Sequence, residues 1–282
     1  RYDDIARFFC SNGLVVCGND HLGHGDSVKS EKDYGYFAKK DGDRIIVRDC
    51  AELHNIIREK YRHLPYIVFG HSMGSFVARR LIVEYGEDID GLILSGTAGS
   101  GQPFGMGIAV SDTVGLFRGK RHRSKLITGI AFGKYNERFE GDTGVEWVSN
   151  DRERLLKYAN DPKCNFMFTC AGYRDLFKLL KYVNSDQWYE DFPKHVPVYL
   201  LCGEDDPVGN YGKGVSEVAE KLNDASVSSV TLKIYPGERH EVHNGLAKQE
   251  MYRDTLNWID GVIEGIHDER KQGNEFASAD DV

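Results

Sequence analysis

The chain has 282 residues, with 36 Lys and Arg against 44 Asp and Glu, so its formal net charge is −8. This acidic balance disfavours nucleic acid as a partner, because phosphate binding needs a basic surface, and no apolar run approaches the roughly 20 residues that cross a bilayer. A hydrophobic content of 40% and a charged content of 28% are typical of one large globular domain.

Apolar spacing predicts helices and strands in alternation along most of the chain. The first half is predicted to hold helices over 2–12, 46–61 and 75–85 and buried strands over 14–18, 65–69 and 89–94. After an interruption come strands over 196–202 and 227–235 and helices over 215–222 and 249–266. Such alternation predicts the α/β class, with a mostly parallel sheet flanked by helices.

The interruption at 103–190 is rich in aromatic residues and contains no clear strand pattern. We therefore predict a helical cap, or lid, over 103–190 on a core formed by 1–102 and 191–266. The segment 267–282 is polar and aperiodic, which favours a flexible tail.

The six cysteines have no metal-ligand or CxxC spacing. Cys17 and Cys202 lie in apolar runs, so they are predicted to be small buried residues in a reducing compartment, the cytoplasm. No metal ion or cofactor is expected.

A serine between two glycines lies where a predicted strand turns into a predicted helix, in Gly70-His71-Ser72-Met73-Gly74. The G-x-S-x-G pattern alone is a weak signal, and its position between strand and helix makes it strong. A sharp turn there exposes the Ser72 hydroxyl and requires small residues on both sides. The Met73 N–H at the helix N-terminus would be half of an oxyanion hole.

A nucleophilic serine needs a base and an orienting acid, which follow the serine in the order acid and then histidine on this class of sheet. The strand over 196–202 is followed by Glu204, Asp205 and Asp206, of which Asp206 is preferred and Asp205 is the alternative. The last strand is followed by His240 and His243, of which His240 is preferred because its loop reaches the same edge of the sheet.

The segments GNDHLGHGDS, VFGHSMGS, GEDDPVG and YPGERHE together resemble the α/β-hydrolase superfamily. The closest resemblance is to the monoacylglycerol lipase and lysophospholipase-like branch, also called serine aminopeptidase-like, and it covers Arg1 to about Ile266. It implies a serine hydrolase that cleaves a monoacylglycerol, lysophospholipid or small ester through an acyl-enzyme. Ser72 would be the nucleophile, Asp206 the acid and His240 the base, with the cap over the acyl pocket.

The chain departs from this resemblance at its start. Relatives carry a His-Gly loop and earlier strands before the stretch that corresponds to RYDDIARFF, and the loop supplies a second oxyanion N–H. We expect these strands and that donor to lie upstream of Arg1.

Two other classes of function remain open from the sequence. The same triad serves peptidases, amidases and acyltransferases, and the fold also occurs in non-catalytic binding modules. The basic segment FRGKRHRSK at 117–125 is either a solvated loop or a transient contact with an anionic membrane surface.

Overall fold

The computed structural model describes the backbone of residues 1–279 and the side chains of residues 1–268. Within these residues the strands are β1 (Ile67–His71), β2 (Gly91–Ser95), β3 (Val198–Gly203) and β4 (Val230–Tyr235). The helices are α1 (Asp3–Ser11), α2 (Gly42–Lys60), α3 (Met73–Tyr85), α4 (Phe104–Arg118), α5 (Lys125–Phe132), α6 (Arg152–Asn160), α7 (Cys170–Val183), α8 (Asp186–Asp191), α9 (Lys213–Asp224) and α10 (Lys248–Ala279).

The four strands form one parallel sheet in the order β1-β2-β3-β4. His71 at the end of β1 lies opposite Ser95 at the end of β2, and Gly203 lies opposite Tyr235 on the last pair. The carboxyl ends of the strands are therefore in line, and the loops that follow them meet at one edge, where ligands bind in open parallel sheets.

Helices cover both faces of this sheet. Leu92 and Leu94 are fully buried in the core cluster that contains residues of α3 and α9. Ile93, between them, is buried on the other face with residues of α1 and α10. Burial on both faces explains why the two central strands, β2 and β3, are nearly continuous apolar runs, whereas the edge strand β4 alternates apolar and polar residues. The predicted α/β architecture is confirmed.

The predicted strand at 14–18 does not form. The segment has extended coil without a ladder partner among the described residues, and Val15 and Val16 are 53% and 42% exposed. A strand is stable only where neighbouring strands pair its backbone groups, so an apolar run alone was not enough. The prediction that Cys17 is buried was wrong for the same reason, whereas Cys202 on β3 is buried.

The segment between β2 and β3 contains the five helices α4 to α8 and no strand among its described residues, as predicted. Within this segment α7 packs against α4, and it also packs against the core helices α2 and α3. It is buried along almost its whole length. Thr169 caps α7 by accepting a hydrogen bond from the Gly172 N–H at 3.1 Å. The predicted boundaries of the cap at 103 and 190 stay a prediction.

The last helix, α10, extends further than its apolar pattern predicts. The sequence favoured an end at residue 266 and a flexible tail over 267–282, but the backbone is helical as far as Ala279. Helical backbone does not require an apolar face where the residues are good helix formers. Residues 280–282 of the predicted tail lie outside the described residues. No helix of the described chain combines the length and apolarity needed to span a membrane.

Candidate active site

The turn between β1 and α3 holds Ser72 in a backbone conformation that few residues adopt, with φ 53° and ψ −125°. Such conformations cost about 1–3 kcal/mol and persist only where surrounding contacts hold them. Here the Ser72 N–H donates to the Ser95 carbonyl at 2.9 Å. The Ser72 carbonyl accepts from the N–H and the hydroxyl of Ser75, at 2.8 and 2.6 Å. Three hydrogen bonds therefore fix the strained serine.

The two glycines of the turn differ in what they allow. A Cβ on Gly70 would lie 2.5 Å from the Gly74 carbonyl oxygen and 2.8 Å from Ala78 Cβ, so the close approach of strand and helix does require glycine there. A Cβ on Gly74 would meet nothing within 4 Å. The expectation that both positions must be small therefore holds for Gly70 and was wrong for Gly74 among the described residues.

Met73 is the first residue of α3, directly after Ser72. The first N–H groups of a helix have no acceptor inside it, and the helix dipole concentrates partial positive charge there. The Met73 N–H is therefore placed where negative charge next to the serine would be stabilised.

Asp206 and His240 are brought together at the same edge of the sheet. His240 Nδ1 lies 3.0 Å from both carboxylate oxygens of Asp206, and both residues are almost completely buried. The Val208 N–H also donates to Asp206 Oδ1, at 2.9 Å. The alternative acid, Asp205, makes no hydrogen bond to His240 among the described residues, and its backbone N–H donates to the Glu238 carbonyl at 2.8 Å. Since a carboxylate only accepts hydrogen bonds, Nδ1 of His240 carries the proton.

The other ring nitrogen of His240, Nε2, is buried and has no hydrogen-bond partner among the described residues. With the proton on Nδ1, this nitrogen presents a free lone pair. In proteins without a bound substrate, the hydrogen bonds of catalytic groups are often long and shorten in the complex. The geometry therefore offers His240 as an acceptor for a proton that arrives from outside its own loop.

Gly96, directly after β2, forms the floor beneath this pair. Its φ is +58°, and a Cβ would lie 2.9 Å from His240 Cε1 and 3.2 Å from Asp206 Oδ2. Any side chain would displace the imidazole, so this glycine is needed for the site.

Two further histidines are buried beside His240. The ring of His71 lies 4.6 Å from the rings of both His240 and His243, and His71 Nδ1 lies 3.1 Å from Ser95 Oγ. Burial first, and neighbouring histidines and Arg1 second, hold the pKa of His71 and of His243 well below the usual value. His243, the alternative base, has no hydrogen-bond partner at either nitrogen among the described residues.

Gly96, Trp147 and Arg239 contact the site and were not predicted. Gly96 had one signal, a glycine immediately after a buried strand. The ring of Trp147 lies 5.1 Å from that of His240, and Arg239 donates to the carbonyl of Glu146. No sequence pattern indicated either contact, because each joins residues about 90 positions apart in the chain. In the described part of the chain, no group of three or more His, Cys, Asp or Glu residues is arranged to hold a metal ion.

Comparison with known families and proteins agrees with this geometry. The family model described as "Serine aminopeptidase, S33" matches residues 1–246. The chain is 28% identical over 272 residues to a monoacylglycerol lipase of Mycolicibacterium smegmatis, covering 92% of this chain and 82% of that protein. It is 25% identical over 264 residues to the human monoglyceride lipase, covering 92% and 77%.

Solved structures show the same similarity. A thermostable carboxyl esterase from Bacillus coagulans, in complex with glycerol, superposes with a TM-score of 0.86 at 32% identity, covering 93% of this chain and 86% of that one. A structure described as a lipase in its open form superposes with a TM-score of 0.84 at 26% identity. The predicted α/β-hydrolase fold is therefore confirmed.

Proposed function

We propose that this chain, which belongs to the serine aminopeptidase (S33) family of α/β-hydrolases, uses Ser72 as nucleophile, His240 as base and Asp206 as orienting acid. The chain is a carboxylic ester hydrolase of the lipase and esterase kind. The proposal about residues rests on one observation above all: the strained Ser72 turn and the buried Asp206–His240 pair lie at the same edge of one parallel sheet. An idle serine would not need such a backbone.

In the proposed reaction, Asp206 keeps the proton of His240 on Nδ1, so Nε2 removes the Ser72 hydroxyl proton as Oγ attacks the ester carbonyl. His240 then gives this proton to the departing alcohol, and an acyl-serine remains. Water, activated by His240 in the same way, attacks the acyl-serine and releases the acid and free Ser72.

The tetrahedral intermediates carry negative charge on the former carbonyl oxygen. The Met73 N–H at the N-terminus of α3 is the proposed donor from this chain. One such donor contributes about 10²–10³ in rate.

The proposed substrate is a lipid-like ester, with monoacylglycerol as the first candidate. Support comes from the names of the relatives and from an aromatic wall that the cap builds beside His240. In this wall Trp147 lies 5.1 Å from Tyr135 and stacks at 6.4 Å on Phe132. Apolar and aromatic linings with few polar groups are typical of sites for apolar ligands.

The proposal is tested by intact mass after treatment with a fluorophosphonate. We expect one adduct on the wild type and none on Ser72→Ala, while the control Ser30→Ala, at an exposed serine, keeps the adduct. Hydrolysis of a series of monoacylglycerols and of matched amides then measures chain length and bond preference. Absence of an adduct on folded wild-type protein would contradict the assignment of Ser72 and leave the binding-module alternative.

The basic segment at 117–125 contributes less free charge than its sequence indicates. Arg121 pairs with Asp33 at 2.5 Å, Arg123 donates to backbone carbonyls that include that of Tyr34, and Lys120 donates to the Lys39 carbonyl. These three residues hold the cap against the loop before α2.

The exposed remainder of this cap surface is apolar and positive: Leu116, Phe117 and Leu126 are 80%, 81% and 63% exposed, beside Arg118 and Lys125. In a chain of net charge −8, this patch is the proposed place of transient contact with an anionic lipid surface. Each cationic side chain near such a surface contributes about 1 kcal/mol. Phe117→Asp should weaken co-sedimentation with phosphatidylserine-containing vesicles. Equal binding of the wild type and Phe117→Asp would contradict the contact. So would equal binding of the wild type to phosphatidylserine-containing and phosphatidylcholine vesicles.

A further inference from the structure

The middle of the cap, residues 146–150 between α5 and α6, is bonded directly to the loop that carries His240. We propose that Trp147 of the cap and Arg239 of the loop are positioning residues, which make the geometry of His240 depend on where the cap lies. This inference rests on the proposed function and adds a structural requirement to it: the cap orients the base in addition to covering the substrate.

Backbone hydrogen bonds join the two segments. The His240 N–H donates to the Trp147 carbonyl at 3.3 Å, and the Glu241 N–H donates to the Val148 carbonyl at 2.8 Å. The backbone of the base is therefore bonded to the cap on one side, while its side chain is bonded on the other to Asp206, on the loop after β3. Displacement of the cap would move the first attachment but not the second.

Arg239 strengthens this attachment from the loop side. Its Nη1 donates to the Glu146 carbonyl at 2.6 Å and to the Ser149 carbonyl at 3.3 Å, and its guanidinium lies 4.4 Å from the centre of the Phe139 ring. One side chain thus holds both ends of the short helical turn Glu146–Val148. A charged donor to carbonyl oxygens in a half-buried position makes stronger hydrogen bonds than a neutral one.

The side chain of Asn150 adds two more bonds at the far end of the segment. Its Nδ2 donates to the Gly237 carbonyl at 2.9 Å, and its Oδ1 accepts from the Leu246 N–H at 3.3 Å. Gly237 and Leu246 lie on either side of His240, so the cap contacts the loop before and after the base.

The indole ring of Trp147 contacts the imidazole itself, with ring centres 5.1 Å apart and planes at 45°. On the opposite end, the indole packs on Tyr135 and Phe132, and Phe132 lies 6.0 Å from Tyr173 of α7. The aromatic chain therefore runs from the body of the cap to the base. When His240 takes the Ser72 proton it becomes a cation, and an aromatic face within about 6 Å stabilises a cation.

The test uses a short, water-soluble ester, because the acyl pocket of the cap then contributes little to binding. For Trp147→Ala we expect kcat to fall by about tenfold, the effect of roughly 1.4 kcal/mol of lost stabilisation of the protonated base. The KM should stay within about twofold of wild type, because the ground-state contacts of such a substrate are unchanged. The rate of fluorophosphonate labelling of Ser72 should fall in parallel with kcat.

Conservative variants separate positioning from folding. Trp147→Phe, which keeps an aromatic face, should restore most of kcat, and Arg239→Lys should retain more activity than Arg239→Met. Trp258→Ala is the matched control, since it removes an indole stacked on Tyr199 at 5.7 Å on α10, away from the site. If Trp147→Ala does not fold, Trp147→Leu replaces it, because leucine keeps apolar volume without a ring.

The inference is overturned if Trp147→Ala changes only KM, or if Trp258→Ala lowers kcat and the labelling rate by the same factor. An unlabelled wild type would instead contradict the proposed function. A labelled wild type whose Trp147 and Arg239 variants react equally fast would contradict this inference alone.

Discussion

The turn that carries Ser72 and the loop that carries His240 reach the same edge of the sheet, but different contacts hold them. The Ser72 turn is bonded to its immediate neighbours, with Ser75 and the end of β2 supplying all three hydrogen bonds to its backbone. The His240 loop is bonded to Asp206 and to the cap segment 146–150. Ser72, the proposed nucleophile, therefore depends on its own turn and on the adjacent strand, whereas His240, the proposed base, also depends on a segment of the cap that is distant in sequence.

The largest effect is expected from a change to the contact between His240 and Asp206, the proposed base and acid. Asp206→Asn keeps the shape of the side chain but favours the wrong tautomer of His240, so kcat should fall by about 10⁴-fold. Asp205→Asn is the matched control and should leave kcat within about twofold, since such a rate change corresponds to only a few tenths of a kcal/mol. Steady-state ester hydrolysis measures both, and equal losses would mean that the orienting acid has been misassigned.

A smaller effect, on stability, is expected from Glu146, which lies in the cap segment that contacts the His240 loop. Burial by itself raises the pKa of this carboxyl group, but hydrogen bonds from Thr143 and Asn136 outweigh it and lower the pKa to about 2. A carboxyl group with a lowered pKa stabilises the fold above its unfolded pKa, and this contribution is lost as the pH falls toward the folded value.

Above the unfolded pKa, the free energy of unfolding of the wild type should therefore exceed that of Glu146→Gln. This difference should shrink by up to about 3 kcal/mol as the pH falls toward the folded pKa of Glu146. Urea denaturation at a series of pH values measures this difference. A difference that does not change with pH would show that the charge of Glu146 contributes nothing to the segment that contacts His240.

The smallest effects are expected on stability, from substitutions of the two glycines that flank Ser72. Gly70→Ala forces a Cβ against the Gly74 carbonyl and Ala78, and it should destabilise the protein by about 1–3 kcal/mol. Gly74→Ala meets no neighbour and lies in the first turn of α3, so it should stabilise the helix by up to about 1 kcal/mol. Thermal and urea denaturation compare the two. Equal destabilisation would mean that close packing requires glycine at both positions.

Most of the sheet could be predicted because its buried strands leave a local signal. β1, β2 and β3 were placed to within a few residues by their short apolar runs, and β4 by its alternation of apolar and polar residues. The run at 14–18 carries the same signal and forms no strand, because pairing depends on a neighbour that the pattern of one segment cannot specify. The extension of α10 beyond residue 266 was not predicted, because the helix continues there without the apolar spacing from which helices were predicted.

The sequence by itself determined the alternation of helices and strands, the turn at Ser72 and a choice of two acids and two histidines. These follow from spacing over a few residues, where backbone geometry and chain order leave few options. Only the tertiary structure decided that Asp206 pairs with His240, that Gly96 must lack a side chain, and that Trp147 contacts His240. Those facts depend on segments far apart in the chain meeting at one edge of the sheet, and no local pattern records which side chains will face one another there.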